Sequence, residues 1–206
     1  PEIHPAWKDT EHFRHRFIGI AVTVRYVPTN KPPASQLETE KFDQWVGNWY
    51  STISSEPFVP LIREGTALVF DDAPASDVGS IGSNNIMGWR LRGCVGVVTD
   101  ATARDTDEIA AQKIPLYFKH PGRGIRPGRN EVESVNRPVE CGGGPVEPGD
   151  VIVADGDGVI VVPRSVAEEV ARYAQKTIEG DKAGRRSLYK KLGLEPDDSV
   201  KPVEKE

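Results

Sequence analysis

The pair Arg104–Asp105 is the first place in this 206-residue chain where neighbouring side chains could do chemistry. It follows residues 94–100, whose continuous run of small and β-branched residues predicts a buried strand. The C-terminal edge of a parallel sheet is where α/β proteins build their sites. An arginine there can bind an anion, and an aspartate can hold a hard cation. The alternative is structural: a surface ion pair, with Asp105 capping a helical turn that starts at Asp107.

A second candidate is the small-residue loop that ends in Gly82, Ser83, Asn84 and Asn85. The pattern predicts that a short helix starts here and runs to about Arg92. Backbone N–H groups at a helix start are free, and together with the helix dipole they bind a carboxylate or a phosphate. Ser and Asn are also ordinary N-cap residues, so the loop alone does not establish a site.

Strands and helices alternate along the first 120 residues, which favours parallel pairing within an α/β unit. The apolar patterns predict strands at 17–26, 66–70, 94–100 and 115–119, and helices at 37–53, about 83–92 and 107–112. Beyond His120, short apolar segments separated by turns predict antiparallel hairpins. The aspartates of the turn at 155–158 are interpreted as turn formers, because the later ligands of a calcium loop are missing.

Three regions are predicted along the chain. Residues 1–16 form a polar arm that is expected to be helical, and residues 17–163 form the α/β domain. Residues 164–206 are expected to be a helical extension. It begins at a capping box of Ser165 and Glu168 and is disordered past Pro196.

Composition excludes several classes of partner. The net charge of −5 argues against a nucleic-acid-binding surface. No apolar run approaches the roughly 18 residues that a membrane span needs. Cys94 and Cys141 are predicted to be reduced, buried residues of a cytoplasmic protein. We therefore expect no nucleic-acid partner and no membrane partner.

Three segments of the chain resemble the RraA-like family, which includes class II pyruvate aldolases such as 4-hydroxy-4-methyl-2-oxoglutarate aldolase. Residues 93–105 (GCVGVVTDATARD) look like the family pattern GVxGVVxDGxxRD, residues 114–117 (IPLY) like FPVF, and residues 148–159 (PGDVIVADGDGV) like PGDxVxADxDGV. The resemblance covers about 17–163. It implies a compact core of mixed β-sheets flanked by helices, a homotrimer or dimer of trimers, and an active site at the subunit interface.

The resemblance also implies roles for the site residues. Arg104 would bind the substrate, and Asp105 would hold a divalent metal, Mg²⁺ or another cation such as Mn²⁺. The backbone amides of Gly82 to Asn85 would grip the pyruvate carboxylate. The expected activity is a carbon–carbon lyase that cleaves or decarboxylates a small anionic 2-oxo (di)carboxylic acid through a pyruvate enolate. No lysine lies among these residues, which disfavours a Schiff-base aldolase.

One position departs from the family pattern. Many aldolases of the family have an acidic residue 21 positions before the arginine, and this position is Ser83 here. A serine can hydrogen-bond or orient a water, but it cannot relay a proton as a carboxylate does. Either Asp77 or Asp100 takes that role, or the substrate and reaction differ.

Other interpretations stay open. Some family members act by binding and inhibiting a ribonuclease, and the Arg104–Asp105 pair favours catalysis over such a non-catalytic role. A methyltransferase is less favoured, because no acidic-x-Gly-x-Gly-x-Gly loop follows the first strand. Arg123, Arg126 and Arg129 either bind a second substrate carboxylate or are solvated or intersubunit charges.

Overall fold

The structure is a computed structural model that describes residues 3–32, 34–72 and 77–201. The strands within these residues are, in chain order, β1 (His4–Pro5), β2 (Phe17–Pro28), β3 (Thr66–Asp71), β4 (Gly79–Ile81), β5 (Cys94–Thr99), β6 (Thr102–Ala103), β7 (Leu116–Phe118), β8 (His120–Pro121), β9 (Asn130–Val135), β10 (Val139–Cys141), β11 (Gly144–Val146), β12 (Val151–Asp155) and β13 (Gly158–Val162). The α-helices are α1 (Thr39–Asn48), α2 (Ser83–Arg90), α3 (Thr106–Ala111) and α4 (Ala167–Leu192). A π-helical turn, Trp49–Ile53, continues α1, and 3₁₀ turns occupy Val59–Leu61 and Arg164–Val166.

The largest sheet is built around β2, its longest strand. The strand order is β1-β7-β5-β3-β2-β12-β13, and β9 pairs with the last part of β2. Strands β2, β3, β5 and β7 run parallel, whereas β12 and β13 pair antiparallel. The predicted change from a parallel α/β unit to antiparallel hairpins beyond His120 is confirmed.

Two apolar clusters lie on the two faces of this sheet. One cluster joins the sheet to α2 and α3 and includes Phe58, Phe70 and Trp89, whose rings lie 5.4 Å apart in each pair. The other cluster joins the opposite face to the β10–β11 hairpin through Val139 and Val146. The helices that flank the candidate site are thus fixed by burial on one face of the sheet.

A second sheet of three short parallel strands, β4-β6-β8, positions the candidate site. Strand β4 leads through Gly82 into α2, and β6 leads directly into Arg104. The sequence did not predict this sheet, because strands of two or three residues are too short to show an apolar period.

The N-terminal arm differs from the prediction, since residues 3–16 contain no helix. Strand β1 pairs with the edge strand β7, and the indole of Trp7 donates to the Ile114 carbonyl at 2.8 Å. The Asp9 carboxylate accepts from the backbone N–H groups of Glu11 and His12. Such a side-chain turn competes with helix formation, and the arm follows the body instead.

The C-terminal extension is helical as predicted, but both of its ends differ. The predicted capping box at Ser165 is not formed, because α4 begins at Ala167 after a 3₁₀ turn and no side chain caps it. Residues 197–201 are folded rather than disordered, with Val200 only 1% exposed, and residues 202–206 lie outside the described part. In the described part of the chain, no helix combines the length and hydropathy that a membrane span requires.

Candidate active site

Arg104 is held across the end of β4 by its own backbone and side chain. Its N–H donates to the Ile81 carbonyl at 2.8 Å, and its Nη1 donates to the Gly79 carbonyl. A Cβ on Gly79 would lie 2.7 Å from the Arg104 Cβ, so only glycine allows this approach. The guanidinium therefore lies next to the start of α2, with its side chain 23% exposed.

Asp105 occupies the N-cap position of α3 but does not cap that helix with its side chain. Its carboxylate Oδ2 instead accepts from the backbone N–H of Ser83 at 3.0 Å and from the Ser83 hydroxyl at 3.4 Å. Asp105 also has a left-handed φ of 56°. Such strain in a residue other than glycine costs energy and is concentrated at functional sites. The capping role considered for Asp105 is therefore wrong for α3; the carboxylate contacts α2.

Gly82 makes the contact between the two segments possible. A Cβ at this position would lie 2.8 Å from Arg104 Nη2 and 2.9 Å from Asp105 Oδ2. Because both distances are below normal van der Waals contact, a side chain here would displace the guanidinium or the carboxylate. The absence of a Cβ thus lets the start of α2 meet Arg104 and Asp105.

The start of α2 keeps donors available. Within the described residues, the backbone N–H groups of Asn84 and Asn85 meet no acceptor. They belong to the first turn of the helix, where the dipole favours an anion. A carboxylate could bind to these two donors beside Arg104.

The structure thus brings Gly82, Ser83, Arg104 and Asp105 together, although 22 positions separate the two hydrogen-bonded residues Ser83 and Asp105. The side chain of Asn85 points elsewhere: its amide donates to Glu56 Oε1 at 2.7 Å. Only its backbone N–H is available to the site.

Glu56 and Arg126 support α2; the sequence did not indicate Glu56, and it indicated Arg126 only as one of three loop arginines. Glu56 accepts from the Asn85 amide and, at 3.0 Å, from the indole of Trp89. Arg126 is 3% exposed and donates to Glu56 at 2.6 Å and to the Tyr26 hydroxyl at 2.6 Å. A buried tryptophan needs an acceptor for its N–H, but no local pattern identifies which residue supplies it.

The three loop arginines do not act together. Arg126 is neither solvated nor available to a substrate, because it is buried against Glu56 and Tyr26. Arg123 forms an exposed ion pair with Asp77 at 2.8 Å, and Arg129 donates to nearby backbone carbonyls. The suggestion that Arg126 binds a second carboxylate is therefore wrong, and it stays a prediction only for Arg123 and Arg129.

The two carboxylates considered as proton relays lie in different surroundings. The backbone N–H and the guanidinium of Arg123 lower the pKa of Asp77, which makes it a poor proton carrier. Burial raises the pKa of Asp100 to about 6, but this carboxylate accepts from the backbone N–H groups of Gly142 and Asp72. In the described residues, no hydrogen bond or ion pair links Asp100 with Arg104 or Asp105.

The donor set fits magnesium better than zinc. Asp105 presents an exposed carboxylate whose Oδ1 accepts no hydrogen bond from the described residues. Those residues contain no group of three or more His, Cys, Asp or Glu side chains that could hold a metal. Zinc takes such closed sets, whereas Mg²⁺ keeps several waters and is often bound through one or two carboxylates. One carboxylate is therefore sufficient for a magnesium-like ion.

Comparison with known proteins decides the family. The RraA-like family profile, described as Aldolase/RraA, matches residues 1–161. The chain belongs to the RraA-like family. A relative in Halalkalibacterium halodurans, named "Putative 4-hydroxy-4-methyl-2-oxoglutarate aldolase", is 32% identical over 119 residues, which are 57% of this chain and 56% of the relative. The chain thus spans about half the length of the first curated relatives it matches.

Solved structures of this RraA-like fold extend over most of the chain. RraAS2 of Streptomyces coelicolor, described as an unusual member of the RNase ES inhibitor RraA family, has a TM-score of 0.69 at 20% identity and covers 90% of this chain and 82% of its own. An uncharacterised protein of Pseudomonas syringae has a TM-score of 0.67 at 23% identity, covering 95% and 80%. At these identities the likeness establishes the fold. The mixed α/β architecture expected for the family is confirmed.

Proposed function

We propose that this RraA-like protein is a divalent-metal-dependent carbon–carbon lyase that cleaves or decarboxylates a 2-oxo (di)carboxylic acid through a pyruvate enolate. One observation carries the proposal: the Asp105 carboxylate is hydrogen-bonded to the start of α2, directly beside the Arg104 guanidinium. A cation ligand, a fixed cationic donor and free helix amides thus converge on one point. The aldolase names of the relatives support the same class.

In this proposal, backbone N–H groups and a guanidinium bind the negatively charged parts of the substrate. The N–H groups of Asn84 and Asn85 bind the carboxylate of the substrate, and Arg104 donates to the 2-oxo oxygen. When the bond beyond the third carbon breaks, its electron pair passes to this oxygen as an enolate. A fixed donor stabilises that developing charge, an effect worth about 10²–10³-fold in rate for a single donor.

Asp105 supplies the site for the cation. Bound there, Mg²⁺ or Mn²⁺ acts as a Lewis acid toward the enolate charge. The Ser83 hydroxyl, next to Asp105, orients a water that accepts the proton of the substrate hydroxyl in an aldol cleavage. A serine at this position favours a reaction that makes a small demand on a protein base, such as decarboxylation.

The site is open on one side, and we propose that a neighbouring subunit completes it in a homotrimer or a dimer of trimers. Exposed apolar residues support an oligomer: Ile18 and Ile160 both flank Val153 in the β2–β12–β13 part of the sheet. Ile18 is 67% exposed and Ile160 is 64% exposed. Two exposed isoleucines on one sheet face, one on each side of Val153, indicate a surface that another subunit covers.

The test is pyruvate release from oxaloacetate and from a 4-hydroxy-2-oxo acid, followed with Mg²⁺, with Mn²⁺ and with EDTA. Asp105→Asn is expected to lower kcat/KM about a thousandfold, because the cation loses its charged ligand. Asp107→Asn, an equally exposed change in the first turn of α3, is the matched control and should leave the rate unchanged.

Two results would reject this proposal. If EDTA and Asp105→Asn leave the rate unchanged, the metal-dependent mechanism is wrong. If neither substrate releases pyruvate and the protein inhibits a purified ribonuclease, the non-catalytic class replaces it.

A further inference from the structure

Helix α4 carries an apolar stripe that the other described residues of the chain do not cover. None of its 26 residues is buried. Exposed apolar side chains at Val170, Tyr173, Leu188 and Leu192, with Val166 directly before the helix, recur at helical spacing and lie within about 100° of one another around the axis. A helix about 39 Å long with such a stripe needs a partner surface to bury it.

The charges of α4 are divided between its two halves. Residues 167–181 contain four acidic and two basic side chains, whereas residues 182–192 contain five basic side chains and no acidic one. This division complements itself only when two copies of the helix run in opposite directions. A parallel pair would place the basic halves together, and like charges at close range are destabilising.

The apolar residues have the same symmetry. A two-fold axis near residue 179 places Val170 opposite Leu188 of a second copy, and both residues lie at the same angle around the helix axis. It also places Thr177, whose hydroxyl can donate, opposite Asp181, the one carboxylate within the stripe. The spacing of the stripe is thus compatible with two copies of α4 that run in opposite directions.

At the edge of the stripe, Glu169 and Lys191 lie on the same flank of the helix. The two-fold axis brings Glu169 within reach of Lys191 of the second copy, so the pair occurs twice in each contact. This arrangement is an isologous interface, in which the same surface patch serves both copies.

Residues 193–201, the described part of the segment that follows α4, leave this surface open. Tyr189 and Arg186 contact residues 197–200 through the Tyr189 hydroxyl and the Arg186 guanidinium. Both residues lie to one side of the stripe at about 100° per residue. Leu188 remains 56% exposed and Leu192 remains 71% exposed.

We propose that α4 is a two-fold interaction surface that binds α4 of a second copy of this chain in antiparallel orientation, with the apolar stripe in the centre and Glu169–Lys191 pairs at the edge. The proposal is independent of the catalytic function. Joined to a trimer, such a contact produces a dimer of trimers.

The first experiment measures the mass of the full chain by sedimentation equilibrium over a range of protein concentrations. Val170→Glu or Leu188→Glu is expected to raise the dissociation constant of the contact by at least about tenfold, because the stripe cannot bury an unpaired charge. The mass of the assembly should then fall to half. Neither residue is buried in one chain, so the fold is retained, which far-ultraviolet circular dichroism checks. A wild-type mass that both variants leave unchanged would overturn the proposal.

A charge exchange tests the orientation. Glu169→Lys and Lys191→Glu are each expected to raise the dissociation constant of the contact about tenfold, and the double variant should restore the wild-type value. Both changes oppose the helix dipole, so an effect on helix stability alone would be largest in the double variant. The lack of restoration in the double variant would refute antiparallel pairing.

Cysteine cross-linking tests the axis. Wild type should form no disulfide-linked dimer under mild oxidation. Val170→Cys alone should not cross-link, because its two copies lie about 27 Å apart along the pair. A mixture of Val170→Cys and Leu188→Cys should cross-link. Efficient linkage of Val170→Cys to itself would show a parallel pair and contradict the proposal.

Discussion

Helices α2 and α4 differ in burial, and the shorter helix is the one that is buried. Helix α2 has eight residues and buries Ile86 and Trp89, whereas α4 has 26 residues and buries none. The short helix is fixed by the core beneath it and by Glu56 beside it, so its first turn can hold donors in place for a ligand. The long helix has an apolar stripe that no other described residue covers. Burial, rather than helix length, decides which helix can position a catalytic group.

The largest expected effect on stability tests this contrast. Trp89→Ala should lower the free energy of unfolding by about 3–5 kcal/mol, because it removes a buried ring and leaves Glu56 without its indole donor. Tyr173→Ala, on the exposed stripe of α4, should change it by less than about 0.5 kcal/mol. Urea unfolding at low protein concentration measures both. Equal losses in the two variants would show that α4 is part of the folded core.

Substitutions of two glycines distinguish an effect on the candidate site from an effect on helix α4. Gly82→Ala should lower kcat/KM about 10- to 100-fold with a small effect on stability, because the new methyl group displaces the Arg104 guanidinium. Gly180→Ala in α4 meets open space and should raise helix content without changing the rate. Steady-state kinetics and circular dichroism distinguish them. A fully active Gly82→Ala variant would remove the geometric argument for Arg104.

The smallest predicted effect concerns Asp100, which lies between these extremes of burial. Its Oδ1 is buried without a partner in the described residues, and burial raises its pKa from the ordinary 3.8 to about 6. Well below pH 3.8 the carboxyl is protonated in both the folded and the unfolded chain, so its ionisation does not change the free energy of unfolding. As pH rises toward 6 the unfolded chain releases its proton first, and stability falls. Asp100→Asn should therefore gain about 1–2 kcal/mol at pH 8 and much less near pH 4.

Urea unfolding of both proteins at the two pH values tests this. A gain that is equal at pH 4 and pH 8 would mean that the ionisation of Asp100 is not its cause.

The regular elements of the fold were predictable because each depends on near neighbours in the chain. The continuous apolar runs of β2, β3 and β5 and the helical stripe of α4 are local patterns, and the structure contains these elements at nearly the expected bounds. The small β4-β6-β8 sheet was missed, since its strands are too short to be periodic. The prediction of a helical N-terminal arm was wrong, because strand pairing and the Asp9 turn outweighed a weak helical preference.

The candidate site likewise has features that depend on near neighbours in the chain and features that depend on distant ones. The sequence alone determined that an Arg–Asp pair follows a buried strand and that a small-residue loop starts a helix, because both are local patterns. Only the tertiary structure decided that Asp105 contacts α2 rather than α3, and that Arg126 is buried beneath α2 instead of facing a substrate. These contacts join residues 22 and 70 positions apart. Their partners are set by the order of strands in the sheet and by which buried polar groups must be satisfied, and neither is encoded in the spacing of nearby residues.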